Sequence, residues 1–165
     1  MKASKKDLEQ RMARFEEVCR KSGAKLTHQR MEIFREVAQT GVHPDVEKVF
    51  EGVRKRMPTI SMDTVYRTLW WLKDLGLISV LGTSRERVRF DANLSRHHHF
   101  VCTQCGMTRD FYSDELDRLE LPDSLLPIGY PEKTQVEVKG ICHKCAAEEK
   151  PGAKKIRKGG PYEQQ

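Results

Sequence analysis

Four of the five cysteines in this chain occur as two C-x-x-C pairs. They are Cys102 and Cys105 in the first pair, and Cys142 and Cys145 in the second, with each pair at the end of a predicted strand. Two such pairs supply the four thiolates of a closed tetrahedral site, which is typical of structural Zn(II). A redox C-x-x-C normally occurs once, at a helix N-terminus in a βαβ unit, a context missing from this sequence. The pairs therefore predict a structural zinc site and leave Cys19 as a small core residue.

Three consecutive histidines precede the first cysteine pair. Successive side chains of a strand point to opposite faces, so His97 and His99 would share one face and His98 would point to the other. Asp91 and Asp110 lie in the same neighbourhood of the sequence. A mixed set of imidazoles and carboxylates suits Fe(II), Mn(II), Co(II) or Zn(II). The pattern indicates a second metal site, with a solvated polar strand that binds no ion as the alternative.

The elements that must position these groups begin with four predicted helices. Apolar residues at helical spacing predict the first helix over residues 5–22. Thr27 is expected to cap the second, Pro44 to open the third and Ser61 to cap the fourth. Gly76 would end the fourth helix as the residue after its C-cap.

A hairpin is predicted after the fourth helix. Apolar residues alternate over 78–80 and 88–90, on either side of a turn at 82–84. Helices followed by a hairpin are the elements of a winged helix-turn-helix, in which residues 61–75 would be the recognition helix.

The second half of the chain is predicted to have shorter elements. Strands are expected over residues 97–101 and 107–112, on either side of the first cysteine pair. A capped helix would start at Ser113 and extend to Leu119, one turn further on. Alternating valines at 136–138 predict a strand that leads to the second cysteine pair.

Charge is distributed unevenly along this chain, whose formal net charge is +6. Residues 1–83 carry 16 Lys and Arg against 11 Asp and Glu, whereas residues 84–149 carry 9 against 12. A basic first half suits a polyanionic partner, and an acidic middle suits bound cations. Residues 150–165 carry 5 basic residues against 1 acidic residue and almost no apolar ones, so they are predicted to form a disordered basic tail.

The composition predicts a cytoplasmic protein without a membrane span. No apolar run approaches the roughly 18 residues that a membrane helix requires. The N-terminus, MKASKKDLEQRMARF, is charged and unlike the apolar stretch of a secretory signal. A reducing cytosol also favours thiolate ligands over disulfides.

The ordered set of motifs resembles the ferric uptake regulator (Fur) superfamily over about residues 8–148. The matching motifs, in chain order, are KLTHQR at 25–30, His43-Pro44, TVYRTL at 64–69, Arg89-Phe-Asp91, the histidines 97–99 and the two cysteine pairs. The resemblance implies a homodimeric repressor that binds a palindromic operator in double-stranded DNA when its regulatory Fe(II) or Mn(II) is present. The expected fold class is therefore α+β, an N-terminal winged helix-turn-helix followed by a small α/β dimerisation domain with a four-cysteine structural zinc site.

The resemblance also implies a division of the chain and a set of regulatory ligands. The expected parts are a DNA-binding domain over 1–91, a dimerisation and metal-sensing domain over 92–149, and the tail over 150–165. The implied ligands of the regulatory metal are His43, Asp91, His97, His99 and Asp110. Through His43, at the end of the DNA-binding domain, the metal would tie the two domains together.

One ligand position divides the superfamily into subgroups. Iron- and zinc-uptake regulators usually carry glutamate where this chain has Asp110, whereas peroxide-stress regulators carry aspartate. The resemblance therefore implies that peroxide oxidises His43 or His97 in the Fe(II) form, which releases the metal and lifts repression, and that the Mn(II) form resists. The lack of a histidine in residues 132–139 favours the same subgroup, whereas the residues 66–69 are more typical of iron regulators.

Six residues are candidate DNA contacts, namely Lys25, Arg30, Ser61, Thr64, Tyr66 and Arg67. Tyr66 and Arg67 on the recognition helix would enter the groove, where Arg67 can read a guanine edge. The two hydroxyl residues near the N-terminus of that helix would bind phosphates. By resemblance, the lysine would reach toward the minor groove and the first arginine would contact the backbone.

Three other functions remain open at this point. An iron- or zinc-uptake regulator would share the whole fold. A non-haem iron enzyme would use His97, His99 and Asp110 as a facial triad, but it leaves the basic winged helix unexplained, so an enzyme is not expected. An interaction module held together by structural zinc, without a regulatory metal, would bind DNA whether or not Fe(II) or Mn(II) is present.

Overall fold

The first half of the protein is helical. The computed structural model describes residues 3–82 and 88–148. The four helices are α1 (Lys5–Lys21), α2 (His28–Ala38), α3 (Val46–Arg54) and α4 (Met62–Asp74). The predicted caps at Thr27 and Ser61 are confirmed, because their side chains accept hydrogen bonds from the amides of Arg30 and Thr64. Gly76, with a φ of 66°, follows the C-cap of α4 as predicted.

The prediction for the start of the third helix is wrong by two residues. The N-cap of α3 is Asp45, whose carboxylate accepts a hydrogen bond from the amide of Lys48 at 2.9 Å. Pro44 therefore lies before the helix, and its carbonyl remains available to another element.

The four helices share one apolar core with the hairpin that follows them. The rings of Phe15 and Phe34 stack with their centroids 4.8 Å apart, and Leu69 of α4 is fully buried. Each such side chain contributes about 1.5–3 kcal/mol by leaving water. Because the inner face of α4 is buried in this core, Tyr66 and Arg67 point to solvent.

The predicted hairpin is confirmed. Strands β1 (Ser79–Leu81) and β2 (Arg89–Asp91) pair antiparallel, with Val80 opposite Phe90. The predicted turn residues Thr83 and Ser84 lie outside the described residues. Phe90 is fully buried in the helical core, so β2 is fixed to the helices and its last residue, Asp91, is carried to the edge of this unit.

A three-stranded sheet organises the second half. Strand β3 (His98–Cys102) lies between β4 (Thr108–Phe111), which is antiparallel to it, and β5 (Glu137–Gly140), which is parallel. The short helices are α5 (Asp114–Asp117), a 3₁₀ turn over Asp123–Leu125 and α6 (His143–Glu148). The register places His99 opposite Asp110 and Cys102 opposite Gly140, which brings the chemical groups of distant segments together.

Two predicted elements of this half differ from their predicted bounds. Ser113 caps α5 as predicted, but the helix ends at Asp117 and Leu119 is exposed. The amides of Arg118 and Leu119 bond three residues back, a tight pattern that ends the helix. His97 lies just before β3, although its side chain still faces the same side as that of His99.

The fold is therefore α+β, with a winged helix-turn-helix followed by a small α/β unit that holds the four paired cysteines together. Within the part of the chain that the structure describes, no helix is both long and apolar enough to cross a bilayer. The predicted basic tail over 150–165 lies outside the described residues.

Candidate metal centres and DNA-binding face

The two cysteine pairs meet at one end of the small sheet. Cys102 ends β3, and the parallel pairing with β5 brings the second pair beside the first. The four sulfur atoms all lie within 4.8 Å of one another. The sulfurs of Cys105 and Cys142 are 3.8 Å apart. Four sulfurs placed tetrahedrally at about 2.3 Å from zinc are separated by about 3.8 Å, so the cluster fits a structural Zn(II).

Backbone amides around the cysteines support the same reading. The amide of Cys142 donates to the sulfur of Cys102 at 3.3 Å, and the amide of Cys145 donates to Cys142 at 3.5 Å. Amides of Cys105 and Cys142 lower the pKa of the Cys102 thiol well below its ordinary value. Gly106 takes the positive φ of 66° that the tight turn after the first pair requires. These amides thus favour the thiolate form of Cys102, whereas the neighbouring cysteines raise the pKa of Cys145, so a metal would have to displace its proton.

Five imidazole and carboxylate groups form a second cluster between the winged helix and the small sheet. His43 comes from the loop between α2 and α3, and Asp91 ends β2. His97 lies just before β3, His99 lies within β3, and Asp110 comes from β4. Their nearest ligand atoms all lie within 4.8 Å of one another, and all but Asp110 are buried. The structure thus brings together all the residues expected at the regulatory site.

The hairpin holds the His43 loop in place. Arg89 donates from Nη1 to the carbonyl of His43 at 3.0 Å, and the amide of Phe90 donates to the carbonyl of Pro44 at 3.0 Å. These bonds join the loop to β2, whose next residue is Asp91. One end of the winged helix therefore presents both an imidazole and a carboxylate to the small sheet.

The three consecutive histidines divide between two faces as predicted. His97 Nδ1 lies 2.7 Å from the carbonyl of Ser95, which only accepts, so Nδ1 carries the hydrogen and Nε2 keeps its lone pair for a metal. His97 Nε2 lies 2.9 Å from His99 Nε2. His98 faces away, where its Nδ1 accepts from the amide of Val136 at 3.2 Å and its Nε2 lies 3.3 Å from Asp117.

The donor atoms of this second cluster lie close together, and several of them lack a hydrogen-bond partner within the described part of the chain. His43 Nε2 lies 2.6 Å from Asp110 Oδ1, and His97 Nε2 lies 3.0 Å from Asp91 Oδ2. Nevertheless, the buried atoms His43 Nε2, Asp91 Oδ2 and Asp110 Oδ1 have no partner at hydrogen-bonding angles among the described residues. Ligands about 2.1 Å from one ion are at most about 4.2 Å apart, close to the spread observed. The cluster therefore fits a regulatory Fe(II) or Mn(II).

Proximity of imidazoles and carboxylates shifts their ionisation. Burial raises the pKa of Asp91, but the neighbouring His97 and His99 outweigh it, and the net pKa lies well below the ordinary value. Burial likewise lowers the pKa of His97, but Asp91 and the Ser95 carbonyl outweigh it and raise the pKa above its ordinary 6.5. These neighbours thus favour the ionised carboxylate of Asp91 and the protonated imidazole of His97 relative to isolated side chains.

We expect Mn(II) affinity to fall on acidification, starting at a higher pH than for an ordinary histidine site. The metal needs the lone pair of His97 Nε2, and a proton competes for it below a pKa that lies above 6.5. Titration calorimetry of the zinc-loaded protein at a series of pH values measures the effect. An Mn(II) affinity that stays constant from pH 8 to 6 would contradict it.

One residue of this site was missed by the sequence analysis. Asn93 is buried, its amide donates to Asp91 Oδ1 at 2.7 Å, and its Nδ2 donates to Asp110 Oδ2 at 2.9 Å. Its Oδ1 accepts from the amide and the hydroxyl of Ser95. The sequence did contain a signal for this residue, because polar residues occupy every second position from Asp91 to His97.

Four of the six candidate DNA contacts lie together on the surface of the helical unit. Lys25, Arg30, Thr64 and Arg67 line one surface groove, together with Trp71. Arg30 lies 3.9 Å above the ring of Trp71 and donates to the carbonyl of Lys25 at 2.7 Å. These contacts hold Arg30 and the Lys25 backbone against α4, while Arg67 is paired with Asp63 in the same groove at 3.0 Å.

The remaining candidate contacts are Tyr66 on α4 and Ser61 at its N-cap, outside that groove. Tyr66 is half exposed, and its ring packs against Trp70, whose ring in turn contacts Phe90 of the hairpin. The hydroxyl of Ser61 already caps α4, so a phosphate would have to share it with the amide of Thr64. Neither of the adjacent tryptophans is fully buried.

This combination of a winged helix, a four-cysteine cluster and a buried imidazole–carboxylate cluster defines a class of metal-responsive regulators. The chain belongs to the ferric uptake regulator family, whose family model matches residues 21–122.

Individual relatives span most of the chain. The peroxide-responsive repressor PerR of Staphylococcus epidermidis is 30% identical over 129 residues, which cover 78% of this chain and 86% of the relative. The Francisella tularensis ferric uptake regulator, solved with iron, is 25% identical with a TM-score of 0.63, covering 75% and 96% of the two chains. The Helicobacter pylori ferric uptake regulator has a TM-score of 0.68 at 24% identity, covers 88% and 96%, and supports the fold.

Proposed function

We propose that this protein is a homodimeric repressor that binds a palindromic operator in its metal-loaded form and releases it when hydrogen peroxide oxidises His43 or His97. The observation that carries the proposal is the buried five-donor cluster at the junction of the two units. A facial-triad enzyme would need three protein ligands and open positions, whereas five donors converge here. The similarity to a peroxide-responsive repressor supports the same reading.

The junction position of the cluster explains how metal binding would control DNA binding. His43 and Asp91 belong to the winged-helix unit, which we place at residues 1–91. His97, His99 and Asp110 belong to the unit at 92–149. A shared metal would fix the angle between the units and so the separation of the two recognition helices in a dimer. Operator binding and metal binding would then stabilise each other.

Exposed apolar side chains support a dimer through the second unit. Between α5 and β5, the side chains of Leu126, Ile128 and Tyr130 are exposed by 66%, 82% and 95%. Apolar residues clustered in this way are typical of a protein interface. A two-fold dimer would in turn require a two-fold operator.

We assign DNA binding to the surface formed by this groove and by helix α4. Tyr66 and Arg67 would reach base edges, and Ser61 and Thr64 would bind phosphates at the start of the helix. Lys25 would reach toward the minor groove, and Arg30, held against the ring of Trp71, would contact the DNA backbone.

Peroxide sensing would use the imidazoles as sacrificial ligands. Fe(II), when bound, supplies the electrons that activate hydrogen peroxide, whereas Mn(II) does not readily do so. One peroxide oxygen adds to a ring carbon of His43 or His97, the ring loses two electrons, and the other oxygen leaves as water. The oxidised ring is a poorer ligand, so His43 and the small sheet would no longer be held together.

Mass spectrometry of peroxide-treated protein tests this proposal. We expect the Fe(II) form to gain one oxygen on His43 or His97 and the Mn(II) form to gain none. His98 is an internal control, since it lies between two ligands in sequence but faces away from the cluster. Equal oxidation of His98, or of the Mn(II) form, would indicate attack from solution. An unmodified Fe(II) form would instead favour an iron- or zinc-uptake regulator.

A further inference from the structure

Asn93 occupies one oxygen of each carboxylate in the proposed regulatory site. Its backbone amide donates to Asp91 Oδ1 at 2.7 Å, and its side-chain Nδ2 donates to Asp110 Oδ2 at 2.9 Å. The other oxygens, Asp91 Oδ2 and Asp110 Oδ1, make the closest approaches to the imidazoles, at 3.0 Å from His97 and 2.6 Å from His43, whereas Asp91 Oδ1 is 3.7 Å from His43 Nδ1. In both carboxylates, Asn93 therefore binds one oxygen and leaves the other oxygen available to a metal.

The orientation of the Asn93 amide is fixed by four contacts. Nδ2 donates to Asp110 and to the hydroxyl of Tyr112, both at 2.9 Å. Oδ1 accepts from the amide and the hydroxyl of Ser95. A flipped amide would set its oxygen against the Asp110 carboxylate and its NH₂ group against the amide of Ser95, so only the observed orientation satisfies every group.

These contacts limit how the carboxylates can bind an ion. A carboxylate that binds a metal through both oxygens must turn both toward the ion. Here Asp110 would lose the bond from Asn93 and leave a buried N–H group without a partner. Three imidazoles and two single oxygens make five ligands, one fewer than the six of an octahedral Fe(II) or Mn(II) site.

We propose that Asn93 is a positioning residue that restricts Asp91 and Asp110 to one oxygen each and so reserves one coordination position for an exogenous small ligand. Under the proposed function, on which this inference builds, that ligand is hydrogen peroxide. Asn93 does not touch the metal; it acts through the two carboxylates.

The coordination spectrum of Co(II) in place of the regulatory metal tests this proposal directly. In zinc-loaded protein, we expect Asn93→Ala to free Asp110 Oδ2 and to lower the visible Co(II) absorption at saturation, because a six-coordinate ion absorbs more weakly than a five-coordinate one. Tyr112→Phe is the matched control, since it removes the other partner of Nδ2 but keeps the bond to Asp110. Asn93→Leu, closer in size, replaces the alanine variant if that variant does not fold.

Metal affinity and oxidation give a second readout. Loss of an outer partner of a ligand typically changes metal affinity or activity by about 10- to 100-fold. We therefore expect histidine oxidation in the Fe(II)-saturated Asn93→Ala variant to slow by at least about tenfold. An unchanged Co(II) spectrum with an unchanged oxidation rate would overturn the proposal. If the wild-type Fe(II) form is not oxidised but the Co(II) spectrum of the variant changes, peroxide sensing fails while the positioning role of Asn93 stands.

Discussion

Replacing Cys142 by serine should unfold the sheet half of the protein while the four-helix half stays folded. Apart from Cys102, Cys142 and Cys145, the small cluster around the zinc site has only partly buried apolar residues packed against it. Structural zinc contributes on the order of 10–16 kcal/mol in small peptides, which matches or exceeds the total stability of a typical domain. Without zinc, this unit has no comparable source of stability.

Amide hydrogen exchange measures the folding of the two halves separately in this experiment. The amide of Thr103, which donates to the carbonyl of Gly140 at 2.8 Å, should lose its protection in the Cys142→Ser variant. The amide of Leu69, in the helical core, should keep it. His143→Ala is the matched control, because His143 lies between the paired cysteines but is exposed. A Cys142→Ser protein that still binds zinc and protects Thr103 would show that this cluster is not a structural site.

Replacing His43 by alanine should remove the dependence of DNA binding on metal without unfolding the protein. His43 and Asp91 are the two donors on the winged-helix side of the cluster. Loss of an outer partner alone typically lowers metal affinity by about 10- to 100-fold, so loss of a ligand should lower Mn(II) affinity by at least about 100-fold. The loop should remain in place, since Arg89 bonds to the backbone of His43.

Three measurements distinguish this result from a general loss of structure. The zinc content and the thermal unfolding of His43→Ala should match those of the wild type. Mn(II) should no longer raise operator affinity at concentrations that saturate the wild type. His143→Ala, which removes the same side chain far from the cluster, should respond to Mn(II) normally. A His43→Ala variant that still responds to Mn(II) would mean that the metal does not join the two units through His43.

Local sequence patterns predicted most of the elements that carry the site. Helix caps such as Thr27 and Ser61 depend on bonds within one turn, and a strand fixes by alternation which histidines share a face. The opposite facing of His98 could therefore be predicted without tertiary information. The hairpin was predictable for the same reason.

Contacts between residues far apart in sequence could not be predicted from such local patterns. His43 is 48 residues from Asp91 in sequence, and only the family resemblance pointed to it. Its place in the cluster depends on the bond from Arg89 across the hairpin. Asn93 was missed because its role needs Asp110, which reaches it only through the pairing of β3 with β4.

The length of α5 was also mispredicted, because local hydrogen bonds end the helix early. Ser113 correctly predicted the start of α5, but the apolar spacing to Leu119 suggested a longer helix. Bonds to the third preceding residue close the helix at Asp117 instead, and Leu119 remains at the surface. Apolar spacing predicts a helix on the assumption that the apolar face is buried within the same chain, and Leu119 is exposed here.

Operator binding by the Fe(II) and Mn(II) forms, prepared without oxygen and measured before and after a small dose of hydrogen peroxide, tests the central claim most directly. Both forms should bind the operator beforehand, and the metal-free, zinc-containing protein should bind it much more weakly. After peroxide, the Fe(II) form should release the operator and the Mn(II) form should stay bound. If both forms remain bound, the protein does not sense peroxide through this cluster and acts as a metal-uptake regulator instead.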